Sequence, residues 1–343
     1  MKKLLNTLYV ASADRYLSLD GENVVVLEKQ NEIGRVPLHN LEEIITCGYT
    51  GASPALMCAC AERNISLCFL TPEGKFLARV TGHEHGNVVV RKTQYRYSED
   101  AEKCLDYAKN FITGKLFNSR WVIERAIRDY AARLDVEMLH NTSQIMQTAL
   151  QRTRECTEIG SLRGIEGEAA SSYFGAFDQL IIQQKNDFNF QIRTKRPPLD
   201  NVNALLSFSY TLLASMCASA LETVGLDPYV GFMHTDRPGR TSLALDLMEE
   251  LRSVFADRFV LTLINKKIIT AKDFLQQEDG AVFLAEEARK KFFTAWQNKK
   301  KEEIIHPFLN EKVEWGMVPY VQALLLSRCI RGDLDFYPPF MWK

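Results

Sequence analysis

The chain has 343 residues, 46% hydrophobic and 25% charged, a globular balance that suits two domains or one large domain with an appendage. Its 42 Lys and Arg against 43 Asp and Glu give a net charge of −1. That excludes a uniformly basic nucleic-acid coat but leaves room for a basic groove balanced by acidic patches elsewhere. No run of about 18 apolar residues occurs, so no membrane span is expected, and the opening MKKLLNTLYVASADRYLSLDG is too polar and turn-rich for a signal peptide; a cytoplasmic location is the expectation.

Residues 1–90 read as a small β-rich domain. LLNTLYV, YLSL, NVVVLEK, EEIIT, ISLCFL and KFLARV are short and rich in β-branched or aromatic residues, with turns such as SLDGEN and TPEGKF between them. One helix interrupts them near 54–63, with Pro54 at its start. The eight cysteines form no CxxC and no finger-like cluster with histidine; Cys58, Cys60 and Cys68 read as small buried hydrophobes. His83 and His85 sit in a Gly-flanked turn. Residues 91–99 read as a linker. From about residue 100 to 343 the pattern is helical, beginning with apolar residues Leu105, Phe111, Leu116, Trp121, Ile127 and Leu134 at three-to-four spacing. Further helices are expected near 142–157, 161–184, 201–224, 241–256, 271–277, 281–297 and 316–331. The fold class is therefore α+β, a small β-rich N-terminal domain followed by a larger all-α C-terminal domain.

The residues able to carry chemistry lie in the helical half. In GIEGEAASSYFGAF, Glu166 shares a helix face with Ala169, Ala170, Tyr173 and Phe177, whereas Glu168 points about 160° away, towards solvent. A carboxylate on an apolar face is costly to bury unless it is paired or bound to a metal; the alternative is a helix-start carboxylate on the macrodipole. His234 ends an apolar run and opens a polar loop, and a helix begins near Thr241. On that helix Asp246 and Glu249, three apart, stand together along one edge of the apolar stripe. One imidazole with two or three carboxylates suits a divalent cation: oxygen ligands favour Mg²⁺ or Mn²⁺, and the nitrogen tilts the choice towards Mn²⁺. The alternative is a lone loop histidine beside an amphipathic helix. Arg193, Lys195 and Arg196 precede Pro197 and Pro198 and could hold phosphate oxygens, or be solvated loop charges. The six basic residues of Arg289–Lys301 read as a solvated face. GxSxG, Walker, GxGxxG and HExxH patterns are all missing from the sequence.

The ordered set GIEGEAASSYF, RPPLDNVNALLSFSYTLL, GLDPYVGFMH and SLALDLMEELR resembles the CRISPR-associated endonuclease and integrase of spacer acquisition, the Cas protein numbered one. The resemblance runs over essentially the whole chain, and the end segments look like the version that accompanies type I-C systems in antiviral defence. It implies a metal-dependent nuclease and integrase that inserts short foreign DNA at a repeat edge by 3′-OH attack. It further implies a homodimer formed through the β-domain, double-stranded DNA as substrate, and a small partner Cas protein bridging two dimers. Carried onto this chain, Glu166, His234 and Glu249 hold the metal, Asp246 matches a further acidic position beside it, and Arg193, Lys195 and Arg196 match a region near bound DNA. Many members place Asp where this chain has Glu249. A repair nuclease without integrase activity and a non-enzymatic DNA-binding scaffold are the rival readings.

Overall fold

The computed structural model describes residues 6–72, 74–80, 82 and 88–343, with Asn6 described by its backbone; His83 and His85 lie outside the described residues. The chain forms two compact units. One comprises the described residues of Met1–His85 together with Phe283–Asn298, and the other comprises Gly86–Val282 with Lys299–Lys343.

The first unit contains two sheets. β1 (Asn6–Val10), β5 (Leu41–Cys47), β6 (Ser66–Leu70) and β7 (Phe76–Val80) form a four-stranded sheet in the order β1-β5-β6-β7. β1 and β6 both run parallel to β5, and β7 is antiparallel to β6. β2 (Arg15–Asp20), β3 (Asn23–Glu28) and β4 (Asn31–Pro37) form an antiparallel meander. Helix α1 (Pro54–Glu62) makes the crossover from β5 to β6, capped by Ser53 Oγ, which accepts from Leu56 N at 3.2 Å. Leu17, Val24, Leu38, Ile44, Leu56, Cys60 and Leu67 fill the core. Strand β4 lies outside the sequence expectation. Its sequence NEIGRVP carries Gly, Pro and charges, and it is a largely exposed edge strand, where side chains need not advertise burial. Cys60 and Cys68 are buried as expected, but Cys58 is exposed on α1.

The stretch Arg289–Lys301 is not simply a solvated face. It belongs to α9 (Glu286–Lys301), on which Phe292, Phe293 and Trp296 are buried. Phe293 stacks on Tyr9 with ring centroids 4.5 Å apart. Arg289 is itself buried: Nε and Nη2 donate to Ala11 O at 3.2 and 3.1 Å, and Nη1 donates to Pro72 O at 2.8 Å and Leu284 O at 3.2 Å. A guanidinium spreads five donors over a fixed planar fork and so reaches three separated backbone carbonyls at once, whereas a lysine ammonium gathers its donors at one point.

The second unit is mostly helical but not all-α as expected: Glu303–Ile305 and Lys312–Glu314 pair as a short antiparallel ribbon, which runs of three residues are too short to announce in sequence. Residues 91–99, expected as a linker, lie within helix α2 (Val88–Glu99). Gln94 of α2 is fully buried and holds the backbone of Asp227 and Val230 through three hydrogen bonds of 2.8–2.9 Å. α3 (Ala101–Tyr130) is capped by Asp100 and packs on α4 (Val136–Glu155) and α5 (Ile159–Ala176). α6 (Asn201–Thr223) is long and apolar enough to cross a membrane by length and composition, but it is a core helix here, with Val202, Leu205, Leu206, Leu212, Leu213 and Leu221 buried. α7 (Ser242–Glu249) leads into a π-helical turn, Arg252–Asp257, and then α8 (Arg258–Asn265). α10 (Val318–Arg331) ends on Gly332, whose φ of 84° is the left-handed cap glycine adopts freely. The helix expected near 271–277 is one short turn, Ala271–Asp273.

Replacing Arg289 by Ala strands three backbone carbonyls. It is expected to destabilise the protein by about 2–4 kcal/mol in denaturant unfolding, while Lys290→Ala, which removes only an exposed pair with Glu287, stays within about 0.5 kcal/mol of wild type.

Candidate active site

Four elements of the helical unit bring the chemistry-bearing side chains together. Glu166 lies in the middle of α5, not at its start, so the helix-start reading does not apply. The Lys115 ammonium, from α3, contacts Glu166 Oε1 and lies 2.8 Å from Glu249 Oε2. Arg252 Nη1 lies 3.2 Å from Glu249 Oε1, and His234 Nε2 lies 3.9 Å from the same oxygen. Glu249 is 4% exposed. Burial alone would raise its pKa, but Arg252, Lys115 and His234 outweigh burial and hold the carboxyl down at about 2.

Asp246 has a different task. It is fully buried, and its oxygens accept from the backbone N–H groups of Phe232 (2.7 Å), Met233 (3.0 Å) and His234 (3.0 Å). His234 Nδ1 lies 2.6 Å from Asp246 Oδ1. That bond fixes the imidazole and turns Nε2 towards Glu249. The loop reaches α7 closely because residue 231 is glycine: a Cβ there would meet Ser242 Cβ at 2.8 Å and Asp246 Oδ2 at 2.9 Å. From the other side, Arg163, one turn before Glu166 on α5, donates to Met233 O at 2.5 and 3.2 Å. With no side-chain cap, the first turn of α7 gives the N–H groups of Leu243 and Ala244 to Pro228 O.

Glu250, adjacent to Glu249, serves the core instead. Its carboxyl takes hydrogen bonds from Tyr337 Oη (2.6 Å), Phe340 N (2.6 Å) and Gln322 Nε2 (2.9 Å). Asn118 Nδ2 donates to Glu250 O and Phe340 O, both at 2.7 Å, and Asn118 Oδ1 accepts from Trp342 N at 2.9 Å. Burial pushes the Glu250 carboxyl up to about 8 despite these bonds. Gly114 permits the approach, since a Cβ there would lie 2.9 Å from Glu250 Cγ. Gly114 and Lys115 on α3 thus face Glu250 and Glu249 on α7.

A second buried cluster borders the site. Asp257, in the π-helical turn, accepts from Tyr210 Oη (2.5 Å) and Tyr173 Oη (3.1 Å), and burial raises it to about 6. Both Arg252 and Arg193 lie over the Tyr210 ring. Arg193 is committed to local structure, donating to Asn203 Oδ1 (2.7 Å) and Ser207 Oγ (3.0 Å). Lys195 and Arg196 are exposed. Although Lys195 is exposed overall, partial desolvation of its ammonium, with Arg252 and Arg193 nearby, lowers its pKa.

Among the described residues no three His, Cys, Asp or Glu side chains are already gathered as a metal-coordinating group; the Lys115 ammonium stands between the two carboxylates. The donor set still fits a divalent cation. Glu249 Oε2 is buried and receives no well-directed hydrogen bond, and the imidazole is oriented from behind by a carboxylate, as metal-binding histidines are. Sequence reasoning misses Lys115, although its signal is present. It sits four residues after Phe111, on the buried stripe of α3 with Leu116, where a lysine needs a counter-charge.

A family model described as CRISPR associated protein Cas1 matches residues 8–298. The chain is 46% identical over 343 residues to a protein of Chlorobaculum tepidum named CRISPR-associated endonuclease Cas1 1, and 50% identical over 347 residues to one of Rhodospirillum rubrum named CRISPR-associated endonuclease Cas1 2; each match covers 100% of both chains. In fold it is similar to a casposase solved bound to an integration product, with TM-score 0.83 and 22% identity over 99% of this chain and 93% of that one.

The two neighbouring acids should respond to pH in opposite senses. Glu250 has a raised folded-state pKa, so the stability it contributes is present below the ordinary value near 4.5 and is lost as pH rises through about 8. Glu249 has a depressed one, so its contribution is present above 4.5 and is lost as pH falls towards 2. In metal-free buffer, Glu250→Gln is expected to flatten the loss of stability between about pH 5 and pH 8, measured by chemical denaturation. A wild-type slope in the variant would contradict this assignment.

Proposed function

The chain belongs to the Cas1 family of CRISPR-associated proteins, and from that membership we propose that it is a divalent-metal-dependent DNA endonuclease and integrase of spacer acquisition, working in the cytoplasm as the version that accompanies type I-C systems. The observation that carries the reading is the buried Glu249 carboxylate, which faces His234 Nε2 with one oxygen and the Lys115–Glu166 pair with the other.

Glu166, Glu249 and His234 would hold Mg²⁺ or Mn²⁺, which when bound supplies Lewis-acid stabilisation of charge on a phosphodiester. The remaining chemistry belongs to side chains. Asp246 keeps Nδ1 of His234 engaged, so Nε2 is the free ligand atom. Lys115 and Arg252 are fixed positive charges beside the carboxylates, and with Lys195 they offset the charge that an incoming phosphodiester adds. In strand transfer the 3′-OH of a short DNA attacks phosphorus at the repeat edge. One phosphorus–oxygen bond forms, another breaks, and the departing 3′ oxygen takes up the proton the nucleophile gives up. In hydrolysis water takes the nucleophile's place. The same pocket serves both because only the attacking oxygen differs.

The assembly proposed is a homodimer formed through the β-rich unit, with a small partner Cas protein bridging two dimers on double-stranded DNA. Arg193 is read as a scaffold for the basic loop, and Lys195 and Arg196 as its DNA-facing charges.

Glu166→Ala, His234→Ala and Glu249→Ala are each expected to abolish joining of a 3′-OH DNA to a repeat-bearing plasmid while leaving the fold and most DNA binding intact; wild-type joining by His234→Ala would refute the site. Chelation should remove cleavage and joining but spare DNA binding. Asp246→Asn is expected to weaken Mn²⁺ binding about 10–100-fold by calorimetry.

A further inference from the structure

Near the far end of α3 from Lys115, two guanidiniums gather on one indole. Arg125 Cζ lies 4.1 Å from the ring centroid of Trp342, and Arg258 Cζ, from the start of α8, lies 5.0 Å from it. Among the described residues, neither guanidinium has a carboxylate within ion-pair distance or a hydrogen-bond acceptor, and Arg258 Nη1 is buried without a partner. The nearest acids are committed elsewhere: Asp129 pairs with Arg128 at 2.8 Å, and Glu302 with Lys299 at 2.6 Å. Burial, and then the neighbouring Arg128, lower the pKa of Arg125; burial, and then Arg125, lower that of Arg258.

Two like charges drawn together, one of them with a donor withheld from water and unused, form a costly arrangement that an anion would relieve. Stacking on Trp342 holds both planes in place but satisfies no N–H group. Arg125, Arg258 and Trp342 are each only partly buried, and Trp342 and Lys343 border a shallow open depression of about 500 Å³ that Ile304, Ile305 and Met341 also line.

We infer that Arg125, Arg258 and Trp342 form a phosphate-binding site that holds the DNA backbone away from the reacting phosphodiester. This rests on the reading that the chain acts on DNA. Ten residues of α3 separate Lys115 from Arg125, about 15 Å along the helix axis and roughly a quarter-turn around it. In duplex DNA, which rises about 3.4 Å per nucleotide, a strand spans this distance in four or five nucleotides. The forked guanidiniums suit phosphate oxygens, and the indole beneath them holds them in place.

The test is binding of the full chain to a short labelled DNA duplex with single-stranded 3′ ends, followed by fluorescence anisotropy over a series of salt concentrations. Arg125→Gln, and Arg125→Gln combined with Arg258→Gln, are expected to weaken binding several-fold. Each should also flatten the dependence of log K on log salt by about one for every phosphate the protein no longer neutralises. Arg128→Gln, already balanced by Asp129, leaves both the salt slope and the joining rate unchanged. Melting curves check that each variant folds; if the double variant does not, the half-buried Arg125→Gln decides alone. An unaltered slope in folded Arg125→Gln overturns the proposal, as does polyglutamate competing through these residues as well as DNA does. Wild-type protein that binds DNA with a slope sensitive to Arg125 but never joins it would sink the integrase reading and leave this site standing.

Discussion

The helical unit is organised around a buried carboxylate that must stay charged. Glu249 is removed from water, and desolvation alone would return its proton. Lys115 and Arg252 prevent this, one from α3 and one from the π-helical turn after α7. Lys115 in turn ties Glu249 to Glu166, so α3, α5 and α7 meet at one charge cluster. Removing any one member leaves the others buried and unbalanced, so the cluster specifies an arrangement more than it adds net stability.

Glu250 shows the same constraint resolved in the opposite way. Adjacent residues at the end of a helix diverge, so one acid enters the site while the next enters the core. Lacking a cation, Glu250 is satisfied by hydrogen bonds from Tyr337, Phe340 and Gln322, and burial keeps it largely protonated. The C-terminal segment is thereby fastened to the residue beside Glu249. Trp315 packs against both Phe340 and Trp342 and completes that attachment. Asp246 works similarly on the other side of α7, using three backbone N–H groups and an imidazole to fix the loop that carries His234. The placing of Glu249 and His234 thus depends on side chains that only hold other groups in place.

Much of the architecture is legible in the chain itself. Short β-branched and aromatic runs mark most strands of the first unit, and three-to-four spacing marks the helices of the second, because extended backbone accommodates those side chains and helical backbone sets that period. Elements without a burial signature escape: the exposed edge strand β4, and the short turn at Ala271–Asp273. Helix α2 reads as a linker because it has no apolar stripe: Val90 and Gln94 are its buried residues, and Gln94 anchors it through hydrogen bonds. Arg289 reads as solvated because its partners are backbone carbonyls, which composition does not reveal.

For the site, the sequence by itself determined which acids and which histidine were available, on which elements, and in what order. Only the tertiary structure separated their tasks. It set Glu249 in the charge cluster, Asp246 behind the imidazole and Glu250 in the core, and it introduced Lys115 from more than a hundred residues away. Helical periodicity fixes the face a side chain points from, a local property. Whether that face meets a cation, an imidazole or a hydroxyl depends on which other helix packs against it, and that is decided by contacts remote in sequence.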